Sequence, residues 1–364
     1  MPQSDISYMQ HALRLAARCT GTTAPNPGVG CVIIKEDAVI GRGWTQPGGR
    51  PHAETVALAQ AGAAAKGATM YVTLEPCAHQ GQTPPCTDAL IKAGIARVVV
   101  GCADMDPRVA GKGIAALQNA GIEVVMGICE AEAQATHEGF FMRLSHGQPL
   151  LNLKIATSLD GKIAHPAGAP RWITSEQARM YGHMLRAEHD AIVTGIGTAL
   201  TDNPMLTCRI PGLENRSPVR VVLDSTLLLP ENFALVTTAD KTPTWIITTS
   251  RAPKDKMKAL EAKGITIIPV SGERIGVEQA LHLLAERGMN SVLLEAGTAL
   301  TTSALASGLV SSMYWFRSPQ VIGDKGKPAF ASPTIEREIK SFRRIDIVPL
   351  KEDVLEIYKK RSAI

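Results

Sequence analysis

The chain has 364 residues, enough for about two domains at roughly 150 residues each. Its 38 basic and 34 acidic residues give a net charge of +4, and only 4% of the residues are aromatic. This near balance and the shortage of stacking side chains disfavour a nucleic-acid-binding protein. The apolar fraction of 45% excludes wholesale disorder. No apolar run approaches the roughly 18 residues of a transmembrane helix.

The seven cysteines are scattered along the chain and odd in number, which is unlike a disulfide framework. Residues 1–19 are polar and periodic, and they lack the apolar centre of a signal peptide. Both observations predict a reduced, cytoplasmic protein whose thiols are available as metal ligands.

Helices and strands are predicted to alternate in the first part of the chain. After a helix over 5–19, the pattern predicts strands over 29–34, 39–44, 70–74, 96–101 and 123–126 and helices over 53–65, 87–93 and 114–120. This order predicts an α/β sandwich with a mostly parallel sheet. A polar helical stretch over 130–144 ends in a predicted turn over 145–149. We place the domain boundary there, between residues 1–147 and 148–364.

A second α/β run follows this boundary. The predicted strands cover 150–156, 191–194, 219–223, 245–248, 266–268 and 292–295, and the predicted helices cover 176–188, 255–263 and 276–287. Two last strands, over 342–348 and 354–359, suggest an antiparallel end to the sheet. The charged run 359–361 is expected to be a solvated end rather than a binding patch.

The first domain carries residues with metal-ligand chemistry. His52 stands at a predicted helix start, Cys77 at a strand end and Cys86 at a second helix start, each next to a proline. One His and two Cys are the protein ligands of an open zinc site that leaves a fourth position for water. Zinc lowers the pKa of that water towards neutrality. Glu54 can move protons between the water and a substrate nitrogen, as in the zinc deaminases.

Taken singly, these residues have plainer interpretations. A lone His at a helix start is more often structural, and a buried Cys is usually an inert small hydrophobe. The joint pattern of order, ligand types and neighbouring prolines favours a metal site. A purely structural zinc site is disfavoured, because it would have four ligands and no adjacent acid. Residues 78–85 separate the two cysteines and are expected to form a loop over the site.

Two glycine-containing turns follow predicted strands of the second domain, at 195–198 and 295–300. Glycine lets the backbone approach a phosphate, and the N–H groups of a following helix would bind it. Neither turn completes the G-x-G-x-x-G motif, so a Rossmann fold is not supported. Each turn alone is more often an ordinary tight turn.

The motifs of the first domain carry a resemblance to a known family. NPGVG at 26–30, HAE at 52–54, YVTLEPCAH at 71–79, TPPC at 83–86 and the segment 106–113 resemble the bifunctional deaminase/reductases of riboflavin biosynthesis. The resemblance implies a cytidine-deaminase-like α/β/α sandwich. The site residues that it implies are the zinc ligands His52, Cys77 and Cys86, the proton shuttle Glu54, and Asn26 and His79 near the pyrimidine. Gln82 stands where the family usually has Arg or Lys.

The second domain resembles the reductase part of the same family. The matching segments occur in order at 154–162, 172–174, 185–187, 195–209, 222–224 and 295–297. The resemblance implies a dihydrofolate-reductase-like α/β domain that uses NADPH. The cofactor-binding residues that it implies are Ala156, Trp172, Thr198, Asp202, Ser225, Gly297, Thr298, Ala299, Leu300, Thr301, Thr302 and Ser303. The implied substrate-binding residues are Lys154, Arg186, Leu206, Arg209 and Glu295.

Some residues of the second domain have two interpretations. Trp172 could be plain core packing, and Asp202 could be a local turn residue or a catalytic carboxylate beside the nicotinamide. Arg186 could be a solvated helix charge, or it could join Arg209 at a sugar phosphate, since guanidinium groups suit phosphate oxygens. The departures from the family pattern are Pro170, the pair Ser311-Ser312 and His137, the last two concerning packing or assembly.

The sequence thus predicts a bifunctional enzyme with zinc and NADPH as cofactors. The first domain is expected to replace the 2-amino group of 2,5-diamino-6-(5-phosphoribosylamino)pyrimidin-4-one by oxygen, and the second to reduce the ribosyl group to ribityl. No basic residue identifies a preference for NADPH over NADH. The expected partner is this small pyrimidine ribosyl phosphate, with no nucleic acid and no membrane, and a homo-oligomer is left open. The rival interpretation is a nucleoside or tRNA zinc deaminase with an unrelated C-terminal domain.

Overall fold

The computed structural model describes residues 3–166, 172–331 and 341–361, so that Pro170 lies outside the described residues. The chain divides into two compact units, Met1–Gln148 and Pro149–Ile364. In the described part of the chain, no helix combines the length and the apolar character needed to cross a bilayer.

The first unit is built on a five-stranded mixed sheet. Its strands are β1 Gly30–Lys35, β2 Ala38–Trp44, β3 Thr69–Leu74, β4 Arg97–Cys102 and β5 Glu123–Met126, in the order β2-β1-β3-β4-β5. Its helices are α1 Gln3–Ala16, α2 Ala53–Ala61, α3 Cys86–Ala93, α4 Lys112–Asn119, α5 Glu130–Thr136 and α6 Glu138–His146. β1 pairs antiparallel with β2 and β3, whereas β3, β4 and β5 are parallel. The expected mostly parallel arrangement therefore holds for only half of the pairings in this unit.

Both faces of this sheet are covered, because alternate side chains of β1 enter different cores. Cys31 and Ile33 pack with α2, α3 and α4, whereas Val32 and Ile34 pack with α1. A strand that is buried on both faces reads as an unbroken apolar run, which is what the sequence shows here. The layers form the predicted α/β/α sandwich.

A glycine lets α2 lie directly against β2. A Cβ at Gly43 would come within 2.0 Å of the carbonyl oxygen of Ala53, so any side chain there would push the helix away. Ala53 is the first residue of α2. The close contact therefore fixes the position of the helix start, which carries His52 and Glu54.

The second unit is built on a larger sheet. Its strands are β6 Leu150–Thr157, β7 Lys162–Ala164, β8 Ala191–Gly195, β9 Val219–Leu223, β10 Thr244–Thr249, β11 Thr266–Val270, β12 Ser291–Leu294, β13 Val310–Arg317, β14 Lys327–Pro328, β15 Phe342–Leu350 and β16 Asp353–Lys360. Its helices are α7 Glu176–Ala187, α8 Ile196–Asp202, α9 Ala234–Thr237, α10 Lys254–Glu261, α11 Val277–Glu286 and α12 Thr298–Ala306.

Nine of these strands form one sheet in the order β11-β10-β9-β8-β12-β6-β13-β16-β15, and β7 pairs with β14. The first seven strands of this order, from β11 through β13, are all parallel to one another. β16 pairs antiparallel with β13, and β15 pairs antiparallel with β16. The predicted antiparallel end is confirmed. Because parallel strands bring their carboxyl ends to one edge, the segments that follow β8 to β12 meet there.

Three expectations from the sequence need correction. The turn expected over 145–149 begins only at Gly147, because α6 continues to His146. The run 359–361 is not a free solvated end, since β16 extends to Lys360, whose ammonium group donates to the Gly308 carbonyl oxygen. Strand β13 was not predicted, because Ser311-Ser312 interrupts its apolar alternation.

His137 is a packing residue between α5 and α6. It is 1% exposed, and its Nε2 lies 3.2 Å from Thr73 Oγ1. Burial lowers the pKa of His137 to about 4, so the ring is neutral, and its Nε2 and the threonine hydroxyl share a hydrogen bond. Thr73 Oγ1 in turn accepts the backbone N–H of Gly30 at 3.1 Å. The residue therefore links the helical layer to two strands.

Candidate functional site

Three potential metal ligands come together in the first unit. His52 directly precedes α2, Cys77 lies just beyond β3, and Cys86 begins α3. Their ligand atoms all lie within 4.8 Å of one another, and no other group of His, Cys, Asp or Glu among the described residues does the same. His52 Nδ1 is 3.4 Å from Cys86 Sγ and 3.7 Å from Cys77 Sγ. We refer to these three residues as the ligand group.

The distances in the ligand group fit a tetrahedral zinc ion. Zinc lies about 2.3 Å from a thiolate sulfur and about 2.1 Å from an imidazole nitrogen, which at the tetrahedral angle places sulfur and nitrogen about 3.6 Å apart. The two distances between His52 Nδ1 and the sulfurs, 3.4 and 3.7 Å, bracket this value. One imidazole and two thiolates also match the nitrogen and sulfur preference of zinc and leave a fourth position open.

The two thiols of the ligand group differ in acidity. A hydrogen bond from the Cys86 thiol, aided by His52, lowers the pKa of Cys77 to about 4. The backbone nitrogen of Cys86 lies 3.4 Å from Cys77 Sγ and donates to it. The hydrogen bond to Cys77, together with burial, raises the pKa of Cys86. The two sulfurs lie close enough to share a proton, and binding of a dication would release the protons that remain on them.

Glu54 lies beside the ligand group in the first turn of α2. The residue is 4% exposed, and burial raises the pKa of its carboxyl, with the Cys77 thiolate adding to the rise. Glu54 lines the same cavity as His52 and Cys77 but is not one of the clustered ligands. A buried carboxyl in this place suits a group that accepts and returns a proton.

The cavity next to Glu54 has a volume of about 420 Å³, within the roughly 300–1,000 Å³ of small-molecule sites. Asn26 and His79, which the resemblance places near the pyrimidine, both line it. Asn26 Nδ2 donates to the Gly49 carbonyl oxygen at 2.8 Å. His79 Nδ1 is buried without a hydrogen-bond partner among the described residues. A buried polar atom of this kind is expected to meet a bound ligand or water.

Three arginines, Arg50, Arg108 and Arg143, also line this cavity. Arg50 donates a hydrogen bond to Thr83 Oγ1, on the loop between the two cysteines. Gln82 lines the cavity from the same loop. Arg108 is ion-paired with Asp106, so the positive charge that the cavity offers to a phosphate comes from Arg50 and Arg143, and Gln82 is neutral.

Glu75 connects the cavity-lining segment 104–114 to the end of β3, which leads to Cys77. This role was not predicted from the sequence. The carboxylate is buried and accepts backbone N–H groups at distances of 2.9–3.3 Å from Asp104, Gly111, Gly113 and Ile114. Two of these donors belong to the first turn of α4, where a negative charge is favourable. The only signal in the sequence is an acid at the end of an apolar strand, directly before Pro76.

A second cavity, of about 500 Å³, lies at the carboxyl edge of the large sheet in the second unit. Its wall comes from the segments that follow β8, β9, β10, β11 and β12, with Lys327 of β14. Ligands of open α/β sheets bind at this edge. Six of the predicted cofactor residues line this cavity: Thr198, Ser225, Gly297, Thr298, Ala299 and Leu300.

The start of α12 forms a cradle for a negatively charged group. Gly297 directly precedes the helix, and its N–H donates to Thr198 Oγ1 at 2.9 Å. A Cβ at Gly297 would lie 3.3 Å from Thr198 Oγ1 and 3.6 Å from Lys327 Nζ, so a side chain would fill this space. Helix N-terminal N–H groups and a nearby ammonium bind phosphates well. The residues present therefore fit the diphosphate of NADPH.

The other predicted cofactor residues do not line this cavity. Trp172 is 51% exposed, and its ring lies 4.8 Å from the guanidinium carbon of Arg179, so the core-packing interpretation is wrong. Ala156 is half-buried on β6, and Asp202 is exposed at the end of α8. The remaining three lie further along α12: Thr301, Thr302 and Ser303.

Three of the predicted substrate residues form a charged cluster. Arg186 donates two hydrogen bonds to the Glu295 carboxylate, at 2.7 and 2.9 Å, and Lys154 Nζ lies 3.7 Å from the same group. Burial alone would raise the pKa of Glu295, but Arg186 and Lys154 outweigh it and lower the pKa to about 2. Because its side chain is only 15% exposed and fully paired with Glu295, Arg186 is not a solvated helix charge.

His183 connects Arg209 to this cluster and was not singled out from the sequence. Its Nδ1 lies 3.0 Å from the Thr207 carbonyl oxygen, and its Nε2 lies 3.2 Å from Arg209 Nη2. Burial, with Arg186 and Arg209 nearby, lowers the pKa of His183 to about 4. The ring is therefore neutral: Nδ1–H donates to the carbonyl, and Nε2 accepts from the guanidinium of Arg209.

Leu206 is held in a strained backbone conformation between two anchored carbonyls. Its φ of 53° lies in the left-handed region, which is unfavourable for a side chain of this size. Arg220 donates to the carbonyl oxygen before it, on Met205, at 3.2 Å, and Arg186 donates to the one after it, on Thr207, at 3.1 Å. Two buried arginines thus hold the segment that carries this predicted substrate residue.

The fold and the two cavities define a two-domain enzyme, with a zinc deaminase in the first unit and a nucleotide-dependent reductase in the second. Residues 2–102 match the family described as the cytidine and deoxycytidylate deaminase zinc-binding region. Residues 149–355 match the RibD C-terminal domain. The chain belongs to the RibD family of riboflavin biosynthesis proteins.

Individual relatives match along the whole chain. The riboflavin biosynthesis protein RibD of Aquifex aeolicus is 40% identical over 98% of both chains. The structure of Acinetobacter baumannii RibD has a TM-score of 0.88 at 37% identity and covers 99% of both chains. The Thermotoga maritima diaminohydroxyphosphoribosylaminopyrimidine deaminase/5-amino-6-(5-phosphoribosylamino)uracil reductase has a TM-score of 0.84 at 32% identity, covering 98% of this chain and 99% of that one. These matches confirm the predicted fold class and family, and they exclude an unrelated C-terminal domain.

Proposed function

We propose that residues 1–147 carry a deaminase and residues 148–364 a reductase, acting in that order on one substrate. The deaminase replaces the 2-amino group of 2,5-diamino-6-(5-phosphoribosylamino)pyrimidin-4-one by oxygen. A C–O bond forms from water, the C–N bond breaks, and ammonia leaves. The reductase then converts the ribosyl side chain into ribityl with NADPH. The observation that carries this proposal is the ligand group beside a buried Glu54 in one ligand-sized cavity.

In the deaminase cavity, the ligand group would hold zinc, which supplies an acidified water at neutral pH. Glu54 accepts a proton from that water and gives one to the leaving nitrogen, as a general base and then a general acid. Asn26 and His79 orient the pyrimidine, and Arg50 contributes positive charge for the phosphate. The burial of Glu54 excludes competing water from its carboxyl.

In the reductase cavity, bound NADPH would supply the hydride for the sugar carbon of the ring-opened imine, whose nitrogen would take up a proton. Thr198, Lys327 and the start of α12 hold the dinucleotide phosphates. Asp202 assists the charge and proton changes at the sugar.

The substrate side of the reductase site is built around the charged cluster. Lys154 and Arg209 offer positive charge to the sugar phosphate. Arg186 and Glu295 fix each other and the loop that carries Leu206. This arrangement keeps the apolar contact from Leu206 in a defined place.

We also infer a cytoplasmic location, because all seven cysteines are free thiols. The near-neutral net charge of +4 supports a small-molecule substrate and no nucleic-acid partner. Assembly into a homo-oligomer stays a prediction.

The variant Cys86→Ser tests this proposal. It should abolish ammonia release from the diaminopyrimidine and lower the zinc content, because a serine hydroxyl is a poor zinc ligand. NADPH oxidation with the deaminated intermediate supplied directly should persist, since the ligand group lies wholly in the first unit. Zinc content by metal analysis and the two rates are the measurements.

The matched control is Cys102→Ser, a buried thiol on β4 that bonds to the Thr73 carbonyl oxygen and lies outside the ligand group. It should keep zinc and both rates. Full zinc in Cys86→Ser would remove the residue from the ligand group. A zinc-loaded wild type that releases no ammonia would contradict the proposed substrate.

A further inference from the structure

Two arginines at the far end of the reductase cavity have no assigned role. Arg251 follows β10 and Arg274 follows β11, and both line the cavity and are exposed. Over the ranges that the structure describes, neither guanidinium makes a hydrogen bond or an ion pair. They are therefore available to a ligand, and they lie away from the cradle at the start of α12.

The order of the strands places the end of the cavity that Arg251 and Arg274 line in one row with the phosphate cradle. β12, β8, β9, β10 and β11 are consecutive parallel neighbours, so their carboxyl ends form a row. Neighbouring strands lie about 4.8 Å apart, which puts the end of β10 roughly 10 Å from the end of β8. Thr198 of the cradle follows β8 and Ser225 follows β9, so Ser225 lies between the cradle and Arg251 in this row. A dinucleotide whose diphosphate occupies the cradle can extend its adenosine half along this row.

Three hydrogen bonds through Thr249 fix the backbone of Arg251 relative to Ser225. Thr249 Oγ1 donates to the Ser225 carbonyl oxygen at 2.7 Å, and the Thr249 N–H donates to the same oxygen at 3.3 Å. The Arg251 N–H in turn donates to Thr249 Oγ1 at 3.3 Å. The side chain of Arg251 therefore starts from a defined point beside the predicted cofactor residue Ser225.

We propose that Arg251 and Arg274 bind the 2′-phosphate of the dinucleotide and thereby select NADPH over NADH. The 2′-phosphate is the only group that distinguishes the two cofactors, and guanidinium groups match phosphate oxygens in geometry and charge. This inference rests on the proposed function, in which NADPH is the hydride donor.

Glu273 lines the same cavity and has the opposite charge to the two arginines. A carboxylate at this place favours the free 2′-hydroxyl of NADH and repels a phosphate. The two guanidinium groups outnumber this single carboxylate, so the charge balance of this end favours the phosphate. Replacing Glu273 by Gln should therefore leave NADPH binding unchanged or stronger.

The test measures binding to the full-length protein without any turnover. Calorimetric titration compares adenosine 2′,5′-bisphosphate with adenosine 5′-monophosphate, two probes that differ only by the 2′-phosphate. The wild type should prefer the bisphosphate. Arg251→Ala and Arg274→Ala should each weaken its binding about tenfold or more, as expected for a lost charged hydrogen bond, and change monophosphate binding little. Arg343→Ala, an exposed arginine on β15, is the control and should change neither.

The binding data distinguish a failure of the proposed reductase function from a failure of the role assigned to the two arginines. A wild type that binds neither NADPH nor the bisphosphate contradicts the proposed reductase function itself. A wild type that prefers the bisphosphate, with the same preference retained in both arginine variants, overturns this inference and leaves NADPH as the cofactor. A wild type that binds both probes equally also overturns it. Weaker NADH binding in Glu273→Gln, with unchanged NADPH binding in both arginine variants, would assign the ribose contact to the carboxylate instead.

Discussion

The ligand group of the first unit and the charged cluster of the second are both largely buried, but they balance their charge differently. The ligand group holds two cysteine sulfurs close together, and only an added cation can neutralise both as thiolates. The cluster around Glu295 carries its own cations, Arg186 and Lys154. The ligand group therefore needs a bound cation to balance its thiolates, whereas the Glu295 carboxylate is balanced by cationic side chains of the chain itself.

This contrast predicts that variants of the two groups affect different measurements, catalytic turnover for one and the free energy of unfolding for the other. Changes beside the ligand group should affect turnover far more than folding. Changes inside the charged cluster should affect folding, because a single remaining buried charge is costly.

The largest expected effect is on deamination, in Glu54→Gln. The amide keeps the shape of the side chain but cannot carry the proton, so ammonia release should fall by about 10²–10⁴-fold, the usual contribution of general acid–base catalysis. Zinc content and the midpoint of urea unfolding should stay close to the wild type. Glu132→Gln, an exposed position on α5, is the control. Retention of most of the turnover would show that another group moves the protons.

The second effect concerns stability, in Glu295→Gln. Loss of this carboxylate leaves Arg186 buried and unpaired, and the free energy of unfolding at neutral pH should fall by about 3 kcal/mol. Because the folded pKa of about 2 lies below the ordinary 4.5, the carboxylate stabilises the fold above pH 4.5. This contribution is lost as the pH falls from 4.5 towards 2. The difference between variant and wild type should therefore shrink over that interval.

Urea unfolding at several pH values measures this difference. The matched control is Glu231→Gln, which breaks an exposed ion pair with Lys263 whose side chains are 44% and 46% exposed. Exposed pairs contribute less than about 1 kcal/mol. Equal effects of the two variants would contradict the distinction between the buried cluster and the surface.

The smallest effect is expected in Asp202→Asn. The reductase rate, measured as NADPH oxidation with the deaminated intermediate, should fall about tenfold, which corresponds to about 1.4 kcal/mol of transition-state stabilisation. Ammonia release should not change. Asp255→Asn, at the start of α10, controls for the loss of one surface carboxylate. An unchanged rate in folded Asp202→Asn would show that Asp202 only ends α8 and has no role in the reaction.

The ligand group could be predicted because short motifs carry it. His52 and Glu54 are almost adjacent, and both cysteines follow prolines within one stretch of the first domain. The helix starts and strand ends that position these residues are also local features, set by prolines and apolar runs. The same locality explains why most strands and helices were predicted within a few residues.

Features that depend on the order of strands could not be predicted. Arg186 and Glu295 are 109 residues apart and meet because β8 and β12 are neighbours in the sheet. Arg251 and Arg274 share a cavity for the same reason, and nothing in their local sequence marks them. Strand β13 was missed because its two serines break the apolar alternation, although both of its neighbours pair with it along its length.

The buried Glu75 carboxylate joins parts of the first unit that are distant in sequence, and its hydrogen bonds should protect their amides from exchange together. Four backbone N–H groups donate hydrogen bonds to this carboxylate. They can exchange with solvent only when these hydrogen bonds break or when the strand that carries Glu75 opens. Since Cys77 lies only two residues further along the chain, release of this wall would also displace a member of the ligand group. We therefore expect bound metal to slow amide exchange at Gly113, even though that residue is not one of its ligands.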